Sequence, residues 1–195
     1  MPMTAGIVLA GGRSSRMGVP KASLEWHGST LLARVAGVVG SAAGPVIVVR
    51  APGQELTALP DRVRVVDDAR EGRGPLEGLR AGLGALEPSV TAAYVAAVDL
   101  PFLSPQAVRR ALGALAGGGD AAVPRAGGRA HPLAAAYRPA VLPVVDALLV
   151  EGRMRMGDLL ERLDVAWFEE DPDALRNLNT PSDYARARSL PLSAG

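Results

Sequence analysis

Four groups of polar residues stand where this chain could do chemistry. The densest is Leu9-Ala10-Gly11-Gly12-Arg13-Ser14-Ser15-Arg16-Met17-Gly18, followed by Pro20-Lys21. Its three glycines within eight positions let backbone N–H groups converge on an oxyanion without side-chain obstruction, and Arg13, Arg16 and Lys21 add positive charge. That is the make-up of a triphosphate cradle. It is neither a P-loop, since no G-x-x-x-x-G-K-[ST] occurs, nor a G-x-G-x-x-G dinucleotide fingerprint. Of 21 basic residues, Lys21 is the only lysine. A compact ammonium on a flexible stem follows a phosphate as a point charge in a tight space, which a guanidinium does less well. The rival reading is a tight strand-to-helix turn with incidental basic residues. The coincidence of glycines, arginines and the sole lysine after the first strand favours phosphate binding.

Asp99 ends an apolar run and precedes Leu100-Pro101. Ligands of an open parallel sheet gather at the carboxyl ends of its strands, so this carboxylate faces the same crevice as the glycine loop. There it can hold Mg²⁺ on phosphate oxygens, an ion that needs only one or two protein carboxylates. On its own, an Asp before Leu-Pro would read as turn chemistry. An Asp99→Ala variant is expected to lose metal-dependent turnover with little loss of folding stability. Asp67-Asp68 follows another strand, and a carboxylate there can accept hydrogen bonds from a base or ribose, although paired Asp in a loop is more often simply solvated. Asn177 and Asn179 are alternate residues of an extended segment, so both amides can address one polar ligand; ordinary turn chemistry is the alternative. His131, in Arg129-Ala130-His131-Pro132, is a further candidate contact, though a lone His usually is not one.

These residues need elements to position them. Residues 4–9 form a short apolar run that ends in glycines, as a buried strand feeding a loop does. Ser29-Thr30 caps a predicted helix over 31–39. Continuous β-branched runs at 46–49 and 63–66 read as buried strands. Pro75 opens a helix to about residue 86, a strand follows over 94–98, and Ser104-Pro105 starts a helix to about 116. This alternation predicts an α/β fold: a Rossmann-like three-layer sandwich with a mostly parallel sheet. In the C-terminal third, 121–125 and 130–138 flank Gly127-Gly128 as a β-hairpin excursion at the sheet edge. Helices over 140–149 and 156–163, a strand over 165–168, and a Thr180-capped helix complete the pattern.

With 195 residues, 48% of them hydrophobic, a single domain over 1–195 is expected, its nucleotide-binding part about 1–119 and its acceptor-binding part about 120–195. The net charge of +1 supplies no field that would draw the chain to nucleic acid or a membrane surface, so any anion site must be local. Zero cysteines exclude disulfides, thiolate metal sites and a cysteine nucleophile. The first apolar stretch is too short for a signal sequence or membrane span, which reads as a cytoplasmic protein.

Taken in series, the motifs resemble a known family. Leu9-Ala10-Gly11-Gly12-Arg13-Ser14-Ser15-Arg16-Met17-Gly18-x-x-Lys21 is similar to the signature of the molybdenum cofactor guanylyltransferases, within the sugar-nucleotide type of nucleotidyltransferase. Gly74-Pro75-Leu76-x-Gly78, Val98-Asp99-x-Pro101, Gly128-Arg129-x-His131-Pro132, Glu151-Gly152-Arg153 and Asn177-x-Asn179-Thr180-Pro181 resemble successive family motifs in order. The resemblance implies transfer of GMP from GTP to molybdenum-molybdopterin, with pyrophosphate released and Mg²⁺ as cofactor. It implies that Leu9, Ala10, Gly11 and Gly12 contact the guanine nucleotide, Lys21 and Arg16 the phosphates, Asp68 the nucleoside and Asp99 the metal. Lys21, Arg16 and Asp99 would carry catalysis, and His131, Asn177 and Asn179 would lie toward the pterin phosphate. GTP and molybdopterin are the implied partners, with transient contacts to proteins that deliver molybdopterin or accept the product. Pro20 stands where the family often has Asp, and Arg50 where an Asn can follow the second strand. Guanine over cytosine rests on Ala10-Gly11-Gly12, because cytidylyl relatives tend to carry a second alanine at the position of Gly11. The alternatives are a cytidylyltransferase acting on molybdopterin, a nucleotidyltransferase for another small phosphorylated acceptor, and a nucleotide-binding regulatory domain without turnover.

Overall fold

The structure, a computed structural model, describes residues 3–11, 20–56, 59–60, 63–68 and 74–189. The first strand, β1 (Met3–Leu9), is followed by a 3₁₀ turn (Lys21–Ser23), a two-strand hairpin of β2 (Glu25–Trp26) and β3 (Ser29–Thr30), and helix α1 (Leu31–Ala43). Then come β4 (Val46–Arg50), β5 (Val63–Asp67), α2 (Pro75–Gly84), β6 (Val90–Ala97) and α3 (Pro105–Ala116). The remainder is β7 (Ala121–Ala126), β8 (Arg129–Ala130), β9 (Ala134–Tyr137), α4 (Leu142–Val150), α5 (Met156–Leu160), β10 (Val165–Glu169) and α6 (Pro181–Arg188).

The main sheet runs β10-β7-β9-β6-β1-β4-β5, with β8 paired to β7. Strands β1, β4, β5 and β6 are parallel neighbours, as are β7 and β10, while β9 is antiparallel to both β6 and β7. Both faces are covered, so the central strands are apolar throughout rather than alternating. One face packs against α1 and α3, the other against α2, α4 and α5, which gives three layers. Among the described residues no helix is long and apolar enough to cross a membrane.

Close packing at the sheet centre uses glycine and alanine. A Cβ on Gly6 would lie 2.2 Å from Val39 Cγ1, and one on Gly82 would lie 2.5 Å from Ile7 Cγ2, so each glycine lets a helix and β1 approach within what alanine forbids. Across the sheet, Ala136 and Ala122 stand in register beside Tyr94, and Ala93 and Ala121 beside Tyr137. Small neighbours make room for the two buried rings, one on each face. Burial pushes both hydroxyl pKa values upward. Tyr137 donates to the Pro132 carbonyl at 2.7 Å, fixing the backbone beside His131.

Several expectations change in detail. Helix α1 continues past 39 to Ala43 because Val38, Val39 and Ala43 are buried, so packing outweighs the cost of Gly40 within it. Strand β5 is not buried along its length: it is a sheet edge, and Arg64 and Val65 are exposed. The β2–β3 hairpin was not expected; its turn places His27 and Gly28 at φ 45° and 82°, the positive values such tight turns require. The arm over 130–138 splits in two: β8 closes the hairpin with β7, and β9 enters the main sheet between β6 and β7. Helix α5 ends at Leu160, short of 163.

The glycine packing generates a paired prediction. Gly82→Ala is expected to destabilise by about 1–2 kcal/mol through overpacking against Ile7, even after alanine's gain in helix propensity. Gly84→Ala, where nothing lies within 4 Å of the added Cβ, is expected to stabilise by up to about 1 kcal/mol. Equilibrium urea unfolding of the two variants checks the opposite signs.

Candidate active site

The parallel strands β1, β4 and β6 bring three carboxyl ends to one crevice. Leu9 and Ala97 are in register, and Val98 N–H donates to the Leu9 carbonyl at 3.2 Å. Beyond β1 the chain hooks toward β4: the N–H groups of Ala10 and Gly11 both donate to the Val49 carbonyl, at 2.8 and 3.2 Å. A Cβ at Gly11 would sit 3.1 Å from the Ala51 nitrogen, so glycine is what lets the two loops lie this close. Gln54 stitches them together. Its Nε2 donates to the Ala10 carbonyl at 3.2 Å while its Oε1 accepts from Ala51 N–H at 3.0 Å.

This crevice is a cavity of about 300 Å³ lined by Leu9, Ala10, Gly11, Lys21, Asp68 and Asp99, with Gly78 and Pro75 of α2 on one side and Leu133 on the other. The paired aspartates are split by the alternation of an extended chain. Asp67 turns to Arg50, whose Nε donates to its carboxylate at 2.7 Å and whose Nη1 donates to the Gln54 carbonyl at 2.9 Å. Asp68 lines the cavity, its N–H held by the Arg50 carbonyl at 2.7 Å. Arg50, one of the departures from the family motifs, therefore braces the loop after β4.

Lys21 and Asp99 meet at the centre. Lys21 Nζ donates to Asp99 Oδ2 at 2.8 Å and to Asn179 Oδ1 at 3.3 Å. Asn177 Nδ2 donates to Asp99 Oδ1 at 3.2 Å. Between the two asparagines, Leu178 is fully buried and its N–H donates to the Asp99 carbonyl at 3.0 Å. Period-two alternation thus aims one residue into the core and its two neighbours at the ion pair. Thr180 then caps α6: its hydroxyl accepts from Asp183 N–H at 3.1 Å, and Asp183 accepts from the N–H groups of Asn179 and Thr180. The Thr180 hydroxyl, and after it those two backbone N–H groups, hold the Asp183 carboxyl below its ordinary pKa. A second tie joins the same parts, because α6 packs on the hairpin that follows Lys21. Tyr184 donates to the Glu25 carbonyl, Arg188 pairs with Glu25 at 2.7 Å, and Trp26 stacks edge-on against Phe102.

A second cavity of about 600 Å³ adjoins the first across Leu133. Its walls include Arg129, His131, Arg176, Asn177, Asn179 and Met156. The structure therefore gathers Leu9, Ala10, Gly11, Lys21, Asp68 and Asp99 around one cavity and His131, Asn177 and Asn179 around its neighbour. The two asparagines also grip Asp99 and Lys21, a contact their spacing alone did not disclose. Gly12 and Arg16 lie outside the described residues. Gln54, Leu133 and Arg176 were not expected. Only Arg176, a charge beside Asn177, left a sequence signal. The Glu151-Gly152-Arg153 segment bridges α4 and α5: Arg153 pairs with Asp158 at 2.6 Å and Glu161 at 3.2 Å, and Arg162 with Glu151. These ion pairs lower the pKa of Asp158 and Glu151 and raise those of the two arginines.

Among the described residues no three His, Cys, Asp or Glu side chains gather as a metal site. A divalent ion here would bind Asp99 and complete its shell with ligand oxygens and water. A single carboxylate at the edge of a cavity, with ligand oxygens and water to complete the shell, could hold a hard cation of the Mg²⁺ or Mn²⁺ type once Lys21 gives way.

The chain is also similar to known proteins in sequence and in fold. The family profile described as MobA-like NTP transferase domain matches residues 6–166. A Mycobacterium tuberculosis protein named probable molybdenum cofactor guanylyltransferase is 41% identical over 167 residues, covering 82% of this chain and 80% of that protein. A Bacillus cereus protein of the same name is 34% identical over 96% of this chain and 97% of its own. Among solved structures, molybdopterin-guanine dinucleotide biosynthesis protein A of Archaeoglobus fulgidus shares the fold at a TM-score of 0.76 and 23% identity, over 95% of this chain and 97% of that one. A Mycobacterium tuberculosis protein crystallised with manganese also shares it, at a TM-score of 0.73 and 22% identity, over 95% of this chain and 97% of that one.

The contacts of Asp99 revise the expectation for its truncation. Lys21 and Asp99 side chains are only 19% and 14% exposed, so removing the carboxylate takes the Asp99 counter-charge from a largely enclosed ammonium and an acceptor from the Asn177 amide. Asp99→Ala is now expected to cost about 1–3 kcal/mol, and Asp99→Asn less, since it keeps an acceptor. Denaturant titration of both variants distinguishes this from an unchanged midpoint.

Proposed function

We propose, from the premise that this chain belongs to the MobA-like NTP transferase family and is a nucleotidyltransferase, that it transfers GMP from GTP to molybdenum-molybdopterin. The observation that carries the reading is the Lys21–Asp99 pair at the junction of two adjoining cavities, one for each substrate. In the smaller cavity Leu9, Ala10 and Gly11 lie against the nucleotide and Asp68 accepts hydrogen bonds from it. In the larger, His131, Asn177 and Asn179 address the pterin's phosphate, with Arg129 and Arg176 adding positive charge to the same wall. The chain then works as one domain, with 1–119 serving mainly the nucleotide and 120–195 mainly the acceptor.

The terminal phosphate oxygen of the pterin attacks the α-phosphorus of GTP in line; the new P–O bond forms as the bond to the β-phosphate oxygen breaks, and pyrophosphate leaves. The attacking phosphate is already ionised near neutral pH, so no protein base is required. Lys21 neutralises charge on the phosphate oxygens as it shifts toward the leaving group, a role assigned also to Arg16. Asn177 keeps the Asp99 carboxylate oriented, and Asn179 holds Lys21 near the reacting phosphates. A divalent ion of the Mg²⁺ or Mn²⁺ type, held by Asp99, would supply Lewis-acid charge at the α-phosphate. The manganese bound by the fold relative is consistent with that class of ion. Partners under this reading are GTP, molybdopterin and the proteins that hand the pterin on.

The test is transfer of label from GTP tagged at the α-phosphorus into the dinucleotide product. Label is expected to move with one pyrophosphate per product, with CTP a poor donor, and Asp99→Asn is expected to lower kcat/KM by about 10²–10³-fold. A preference for CTP would replace GMP transfer by CMP transfer; no transfer from any nucleotide would refute the reading.

A further inference from the structure

The Lys21–Asp99 contact poses a problem that the functional reading leaves open. The carboxylate assigned to the metal already has both oxygens engaged: Oδ2 by the Lys21 ammonium at 2.8 Å and Oδ1 by the Asn177 amide at 3.2 Å. The ammonium and a divalent cation compete for the same oxygen lone pairs. Two cations on one carboxylate also repel each other in an enclosed site.

We propose that Lys21 is the resident cation of Asp99 in the nucleotide-free protein, and that it yields the carboxylate only to a metal ion arriving on a triphosphate. The proposal rests on the nucleotidyltransferase reading of this site. The ion pair has no net charge, and among the described residues no cluster of three or more possible ligands surrounds it to attract a bare divalent ion. A triphosphate changes the balance. It offers the ammonium a stronger anionic partner and brings the metal with some of its ligands already in place. Lys21 then swings from Asp99 to the phosphates while the metal takes its place. The structure equips it for a short swing: its backbone is set by the turn after Pro20, its stem is flexible, and Asn179 Oδ1 at 3.3 Å provides a second mooring.

The same exchange accounts for the single lysine among 21 basic residues. A guanidinium grips a carboxylate through two parallel N–H bonds and releases it reluctantly, whereas an ammonium is one rotatable point charge. Arginine serves this chain elsewhere, in ion pairs that stay closed, such as Arg153 with Asp158 and Arg50 with Asp67.

The experiment is Mn²⁺ titration without nucleotide, read from the loss of the free-ion electron paramagnetic resonance signal. The proteins are the intact wild type, Lys21→Met, and Lys21→Met combined with Asp99→Asn. Lys21→Met is expected to bind Mn²⁺ at least about tenfold more tightly than the wild type, and the double variant to lose that gain. Folding is checked by circular dichroism, and Lys21→Arg provides a variant that keeps the charge. It is expected to take up no more bare Mn²⁺ than the wild type and, in a separate equilibrium dialysis against Mn²⁺–GTP, to bind the complex more weakly. Equal bare-ion affinity in wild type and Lys21→Met, or a gain that survives Asp99→Asn, overturns the exchange. A different result, in the dialysis, would strike the underlying functional reading: wild type that retains no Mn²⁺–GTP, or an Asp99→Asn variant that retains it as well as the wild type.

Discussion

An ammonium and a carboxylate 78 positions apart in sequence, Lys21 and Asp99, meet at 2.8 Å, and the rest of the crevice is built to bring them together. It links the loop after β1, the end of β6 and, through Asn177 and Asn179, the segment leading into α6. None of these is held by the pair alone. Leu178 fixes the asparagine segment from the core side, and Tyr184 and Arg188 clamp α6 to the hairpin that follows Lys21. The charged centre is thus positioned by apolar burial and by hydrogen bonds and an ion pair outside it, leaving its own electrostatics available for ligand chemistry. That division suits an active site, since a pair needed mainly for folding could not be opened without cost.

Parallel topology explains why two cavities adjoin at one crevice. Strands β1, β4 and β6 deliver the residues of the smaller cavity from their carboxyl ends. The antiparallel β9 then enters beside β6 and brings the residues 131–133 to the other side of Asp99. Leu133 separates the two cavities, and its carbonyl accepts from Ala97 N–H at 2.9 Å. The wall between the two cavities is therefore an extension of the sheet itself. On the proposed reading, the fold would set the distance between two bound phosphates, which is how positioning contributes to phosphoryl-group chemistry.

Much of this was legible before the structure was seen, for reasons that are local. The strand before Gly11, the apolar run before Asp99 and the alternation of Asn177 with Asn179 each carry their information within a few residues. The place of Asp99 followed from a strand end in a parallel sheet, that of Lys21 from the glycine loop, and Asp68 was singled out by the family resemblance. What remained hidden depends on distant partners. Nothing near Gln54 shows that it will reach Ala10, 44 positions away. Nothing in Asp67-Asp68 says which carboxylate Arg50 will claim. The exposure of β5 was misjudged because a β-branched run reads alike at the edge and at the centre of a sheet. The grip of Asn177 and Asn179 on the ion pair required knowing that the C-terminal segment returns across β6.

The central claim is that the crevice at the ends of β1 and β6 binds the metal–nucleotide complex on Asp99 and Lys21. The most direct measurement is a crystal structure of the wild type with Mn²⁺ and a non-hydrolysable GTP analogue, with the metal located by its anomalous scattering. The account predicts the metal on the Asp99 carboxylate, the nucleotide in the cavity lined by Leu9, Ala10, Gly11 and Asp68, and the Lys21 ammonium moved onto phosphate oxygens. A nucleotide seated outside this crevice, or a metal remote from Asp99 with Lys21 still closed upon it, would contradict the account.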